Sequence, residues 1–203
     1  MRTEEINIYT YKELSCDSKN TALENIQNDP NYLDYNWWDH VYEWFQDKYG
    51  ELFNDIEPSF SGFWSQGDGA SFEYSGIDRD KILKLWLDSE EFSPIRRKFY
   101  EEYLDIYSVG RRSGRYVHEK SVNHNIHFDL MHNNSISGAY NVMDHVSDLE
   151  EDFEYWFENY YCEICSELYR TLESDHDYLM SVEAIEEHII ANGLEFTKNG
   201  EIY

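Results

Sequence analysis

The spacing of apolar residues divides the chain into short strands and longer helices. Ile6, Ile8 and Thr10 alternate with polar neighbours and predict a first strand; Tyr11 to Ile26 is helix-compatible up to the break at Asp29-Pro30. Trp37, Val41, Trp44, Phe45, Lys48 and Leu52 recur at three and four, which predicts a helix from about Trp37 to Phe53. Glu57-Pro58 opens a predicted hairpin, Ser59 to Ser65 against Ala70 to Ser75, turned by Gln66-Gly67-Asp68-Gly69. Asp78 or Asp80 can cap a helix through Leu87, and Ser93-Pro94 supplies the cap and first residue of another. Asp105 to Met131 reads as extended, with turns expected at Gly110, Ser113-Gly114 and Asn123.

The strongest periodicity lies in the final third. Val146, Leu149, Phe153, Trp156, Tyr160, Ile164 and Leu168 follow a helical repeat over six turns. Ser181-Val182-Glu183-Ala184 then caps a last helix to about Ala191, ended by Asn192-Gly193. Leu194, Phe196, Ile202 and Tyr203 predict a terminal strand pair across Lys198-Asn199-Gly200. Strands joined by hairpin turns and separated by helices of varied length imply a single α+β domain over residues 1–203. Its antiparallel sheet would be built from hairpins and packed with acidic amphipathic helices.

Charge changes this picture. The 203 residues carry 42 Asp and Glu against 16 Lys and Arg, a net of −26, yet 18 Tyr, 11 Phe and 6 Trp supply material for a core. The acidity therefore describes a surface and not a disordered chain. It is uneven: residues 1–60 net −9, residues 61–140 net −2, and residues 141–203 net −15. Such a surface repels nucleic acid and anionic membranes, so direct binding to either is not expected and a basic protein is the natural partner. Three cysteines do not make a secreted disulfide framework, no apolar run reaches the roughly 18 residues that cross a bilayer, and MRTEEINIYTY lacks the order of a signal peptide. The expectation is a cytoplasmic protein of a reducing compartment.

The acidic positions have a pattern of their own. Asp144, Asp148, Glu151, Glu154 and Glu158 step by 4, 3, 3 and 4, placing charges about 5 Å apart along one helical stripe. Asp39, Glu43 and Asp47 form a shorter stripe on the earlier helix. Duplex DNA carries about one charge per 1.7 Å of axis, so 26 charges match about 13 base pairs, roughly 44 Å, the diameter of a domain of this size. These residues are the candidate partner-binding set, with nucleic-acid mimicry as the mechanism; a solvated acidic face is the plain structural alternative.

Other motifs are weaker. His118, His124, His127 and His132 lie within 15 residues, but in a strand His118 and His124 share a face that His127 does not, so no metal site is assigned. Cys162 and Cys165 lack the second pair of a zinc tetrad and read as buried thiols. Gln66-Gly67-Asp68-Gly69 lacks the lysine and glycine spacing of phosphate loops. Arg111, Arg112 and Arg115, with Arg96, Arg97 and Lys98 upstream, are the one concentration of positive charge. With His118, the first three form a candidate phosphate or nucleotide site; pairing with the acidic helices of the same molecule or of a second copy is the competing and favoured reading. Since G-x-S-x-G, H-E-x-x-H and the zinc-deaminase pattern are all missing, neither an enzyme nor a cofactor is expected.

Five further segments stand out: Ile8 to Ser15, Phe60 to Phe72 with its FWSQGDGASF run, Ser113 to Glu119, Tyr178 to Ser181 and Glu195 to Gly200. Together they resemble a widespread family of uncharacterised phage and prophage proteins, some labelled antitoxin-like. The resemblance implies a mobile-element origin and brings no catalytic residues. By analogy with small acidic phage proteins that resemble nucleic acid and block host restriction or CRISPR nucleases, the expected function is an inhibitor of a host defence or nucleic-acid-binding protein. An antitoxin-like neutraliser of one toxin, or a nucleotide or small-ligand binder, is the alternative.

Overall fold

The computed structural model describes residues 7–130 and 146–203. The order is β1 (Tyr9–Thr10), α1 (Cys16–Gln27), α2 (Asp39–Tyr49), β2 (Phe53–Asn54), β3 (Glu57–Phe60), β4 (Ala70–Glu73), β5 (Gly76–Ile77), α3 (Arg79–Ser89) and α4 (Pro94–Tyr103). There follow β6 (Leu104–Arg112), β7 (Val122–Leu130), α5 (Val146–Leu179), α6 (Val182–Ala191) and β8 (Glu195–Phe196). The fold is α+β, as the pattern predicts, and every strand pairing among the described residues is antiparallel. The chain forms two compact units, one from its two ends (to Asp39 and from Leu172) and one from His40 to Thr171.

In the first unit, Ser15 caps α1 by accepting the Ser18 N–H, and Ser181 caps α6 by accepting the Ala184 N–H. Each satisfies a backbone donor that the first helical turn leaves open. Tyr11, Leu14, Ala22, Ile26, Ile185, Ile189 and Phe196 make the core. β1 pairs with β8 through Tyr9 and Phe196, so the partner of the first strand comes from the far end of the chain. Ile202 adds only an isolated bridge to Phe196, where a strand pair was expected.

The second unit departs from a continuous sheet for a specific reason. β3 and β4 pair in register Phe60 to Ala70, and β6 and β7 pair over nine residues from Leu104–Leu130 to Arg112–Val122. The hairpins touch at Tyr74 and Gly110, which exchange both backbone hydrogen bonds at 3.2 and 3.1 Å. In that register the next partners are Phe72 and Arg112. Instead, the Tyr161 hydroxyl of α5 donates to the Phe72 carbonyl at 2.7 Å and accepts the Phe72 N–H at 3.1 Å. The Arg112 N–H goes to the Glu73 carboxylate at 2.9 Å. One phenol thus stands where a third strand would continue the ladder. Pro58, opposite Phe72 on β3, has no N–H to offer, and Phe72 needs none from that side.

Several predicted details are corrected. Gly110 is no turn: it lies inside β6, where a Cβ would sit 2.2 Å from Cε1 of the buried Tyr74 ring. Asn123 lies inside β7. The helix expected to reach Phe53 stops at Tyr49, and Phe53 is a buried strand residue. Along α5 the buried lane is Phe153, Phe157, Tyr161, Ile164, Leu168 and Leu172; Trp156 and Tyr160 stack beside it at 5.2 Å, half-buried. Both lanes carry aromatics about 100° apart on the helix, so periodicity does not choose between them. Burial of the lane whose Tyr161 reaches Phe72 does.

Candidate functional site

The long hairpin loop, Ser61 to Gly69, is held by its own aspartate. Asp68 Oδ2 accepts the N–H groups of Trp64 at 3.1 Å and Ser65 at 2.6 Å, a turn closed by a side chain. Gly67 has φ +93°, and a Cβ there would meet the Tyr116 ring at 2.8 Å. The loop therefore packs on the β6–β7 connection and leaves Trp64 78 % exposed at its tip.

Of the four ligand-site candidates, Arg115 and His118 share a neighbour in the Tyr116 ring, and Arg112 is tied into the first hairpin. Arg112 is half-buried and structural: its guanidinium reaches Ser59 Oγ at 2.8 Å and Glu73 at 3.5 Å, tying β6 to the first hairpin. Arg111 is exposed, and Arg115 lies over the Tyr116 ring at 5.0 Å. His118 is no strand residue but precedes the 3-10 turn Glu119–Ser121 and stacks near Tyr116. Among the described residues, Arg97 pairs with Asp88 of α3 and Glu101 of α4, and Arg112 pairs with Glu73 of β4.

The acidic set is solvent-facing. Asp39, Glu43 and Asp47 are exposed on the side of α2 opposite the buried Val41, Phe45 and Tyr49. Asp148, Glu151, Glu154 and Glu158 are exposed along α5; Asp144, like His132, lies outside the described residues. Among the described residues, Glu151, Glu154 and Glu158 form no ion pair. The Glu154 carboxyl titrates above its ordinary value, through partial desolvation and then the charges of Glu150, Glu158 and Glu151. Glu167 differs: hydrogen bonds from Lys48 and Tyr49 hold it below the usual range. That tie places the end of α2 nine residues beyond Glu158, about 13 Å along α5, so Asp47 does not extend the Glu151–Glu158 stripe.

A family model described as a domain of unknown function (DUF8835) matches residues 37–182. The chain belongs to that family. The DUF8835 match takes in the Gly-Asp-Gly loop, both hairpins and all of α5, while β1, α1 and β8 lie outside it. No curated protein and no solved structure matches the chain.

Within the DUF8835 region the structure also assembles a polar chain that sequence reasoning missed. Tyr74 Oη lies 2.8 Å from both Ser108 Oγ and His124 Nδ1, and the His124 ring packs edge-on against Tyr161 at 4.3 Å. The three are satisfied when Ser108 donates to Tyr74 and Tyr74 donates to a neutral imidazole. Burial pushes the histidine down to about 4 and the phenol of Tyr74 up. The legible signal was parity: His124 shares its strand face with Val122, Ile126 and Phe128. Among the described residues no three His, Cys, Asp or Glu side chains are placed to hold a metal ion, and no helix is long and apolar enough to cross a membrane.

Proposed function

We propose that this chain is a phage-encoded acidic inhibitor that occupies the basic surface of a host defence or nucleic-acid-binding protein. The observation that carries the reading is the row of exposed, unpaired carboxylates at Glu151, Glu154 and Glu158. They rise about 4.5 and 6 Å along the helix axis, an anionic row somewhat sparser than one strand of a duplex, which carries a phosphate about every 3.4 Å of axis. The Glu154 carboxyl is raised by partial desolvation and then by its acidic neighbours, and a cationic partner would relieve that repulsion. Binding by such a surface competes with nucleic acid for the same cations and weakens steeply with salt.

The test is affinity purification from host cells at low and high salt, with the wild-type chain and with a Glu151→Lys, Glu154→Lys, Glu158→Lys variant. A basic nucleic-acid-handling protein should be retained at low salt, released by high salt and lost with the variant. Equal retention by the variant rejects this surface, and salt-insensitive retention rejects the mechanism.

A further inference from the structure

A cavity of about 310 Å³ opens beneath the Gly-Asp-Gly loop, between the start of β4, the Glu119–Ser121 turn and α5. Its walls bring together Asp68, Glu119 and Arg170. Among the described residues the Arg170 guanidinium forms no ion pair and no hydrogen bond, and Glu119 and Asp68 form no ion pair. Charges of both signs therefore face one space without neutralising each other. Asp68 is prevented from closing the gap because its Oδ2 is held by two backbone N–H groups of its own turn.

Of the remaining lining, the Ser166 hydroxyl is occupied, donating to the Cys162 carbonyl at 2.8 Å. Ala70 and Cys165 are buried, and burial pushes the Cys165 thiol up, so that it presents a neutral, apolar wall. The Tyr169 hydroxyl donates to the Phe63 carbonyl at 3.2 Å. The charged groups that face the cavity are one guanidinium and two carboxylates, and Ala70 and Cys165 supply apolar wall.

We propose that this cavity binds a small zwitterion of the α-amino-acid class, with its carboxylate on Arg170, its ammonium toward Asp68 and Glu119, and its side chain against Ala70 and Cys165. A guanidinium grips a carboxylate with paired, charge-assisted hydrogen bonds, and neither sign alone complements this lining. The volume is at the low end for ligand cavities, which suits a single amino acid and not a nucleotide. Two acids against one base leave an excess negative charge, so a basic amino acid binds more tightly than a neutral one.

Isothermal titration at neutral pH with L-lysine, L-alanine, butylamine and butyrate tests this. Saturable binding is expected for L-lysine, weaker binding for L-alanine, and at least about tenfold weaker affinity than L-lysine for each single-charge probe. Arg170→Ala and Glu119→Gln should each weaken L-lysine binding about tenfold while leaving the unliganded thermal midpoint unchanged. Butylamine binding as tightly as L-lysine overturns the proposal in favour of a simple cation cavity. Wild-type affinity in both variants, or no saturable binding of any probe, also overturns it.

Discussion

The phenol oxygen of Tyr74 lies 2.8 Å from Nδ1 of His124, joining the first hairpin to the second inside an aromatic core. The imidazole is held neutral there, its pKa lowered by burial to about 4 against an ordinary value of 6.5. The unfolded chain takes up this proton first as pH falls. Stability from this group is complete above about pH 6.5 and is lost progressively toward pH 4, by about 3 kcal/mol at most. Urea denaturation between pH 7.5 and 4 should show the loss, and His124→Asn should flatten it. An unchanged slope in that variant would assign the acid sensitivity to other groups.

Tyr161→Phe removes the hydroxyl that serves both backbone groups of Phe72, a fully buried residue. Leaving both unpaired costs about 3 kcal/mol. The urea midpoint should fall with the slope unchanged, a larger loss than a tyrosine hydroxyl on the surface produces.

Gly110→Ala places a methyl against the Tyr74 ring, which is fully buried and has no room to retreat. Overpacking of this kind costs about 1–3 kcal/mol. Thermal unfolding should show a lowered midpoint, together with changed near-ultraviolet circular dichroism from the displaced tyrosine.

Glu154→Gln should stabilise the protein at neutral pH. The folded carboxyl titrates above its ordinary value, so the unfolded chain releases this proton first and stability falls as pH rises through that window. Removing the charge relieves like-charge pairs worth about 0.2–0.5 kcal/mol each on a helix surface. The gain should shrink in high salt, and a salt-independent gain would point to packing instead.

Thiol titration should separate the cysteines. Cys16 is exposed, Cys162 is half-buried with its thiol raised by desolvation and by Glu119, and Cys165 is buried. One thiol should react rapidly with an aromatic disulfide reagent in the native protein, and Cys165 only on unfolding.

Local chemistry determined much of this protein from sequence. Ser93 and Ser181 cap the helices they were expected to cap, and of the two candidates Asp78 and Asp80 it is Asp78 that caps α3, because each cap is a bond to a backbone N–H three residues away. The exposed acidic stripe was equally legible, since a charge on the outer face of a long amphipathic helix follows from its period. Only the tertiary structure decided which aromatic lane of α5 is buried, that the two hairpins share a single backbone bridge, and that Arg112 pairs with Glu73. Each of these depends on groups distant in sequence, such as Tyr161 with Phe72 or Tyr74 with Gly110. A hydroxyl that replaces a strand, or a glycine that admits a ring, leaves no periodic trace. Its cause is the partner and not the neighbouring residues.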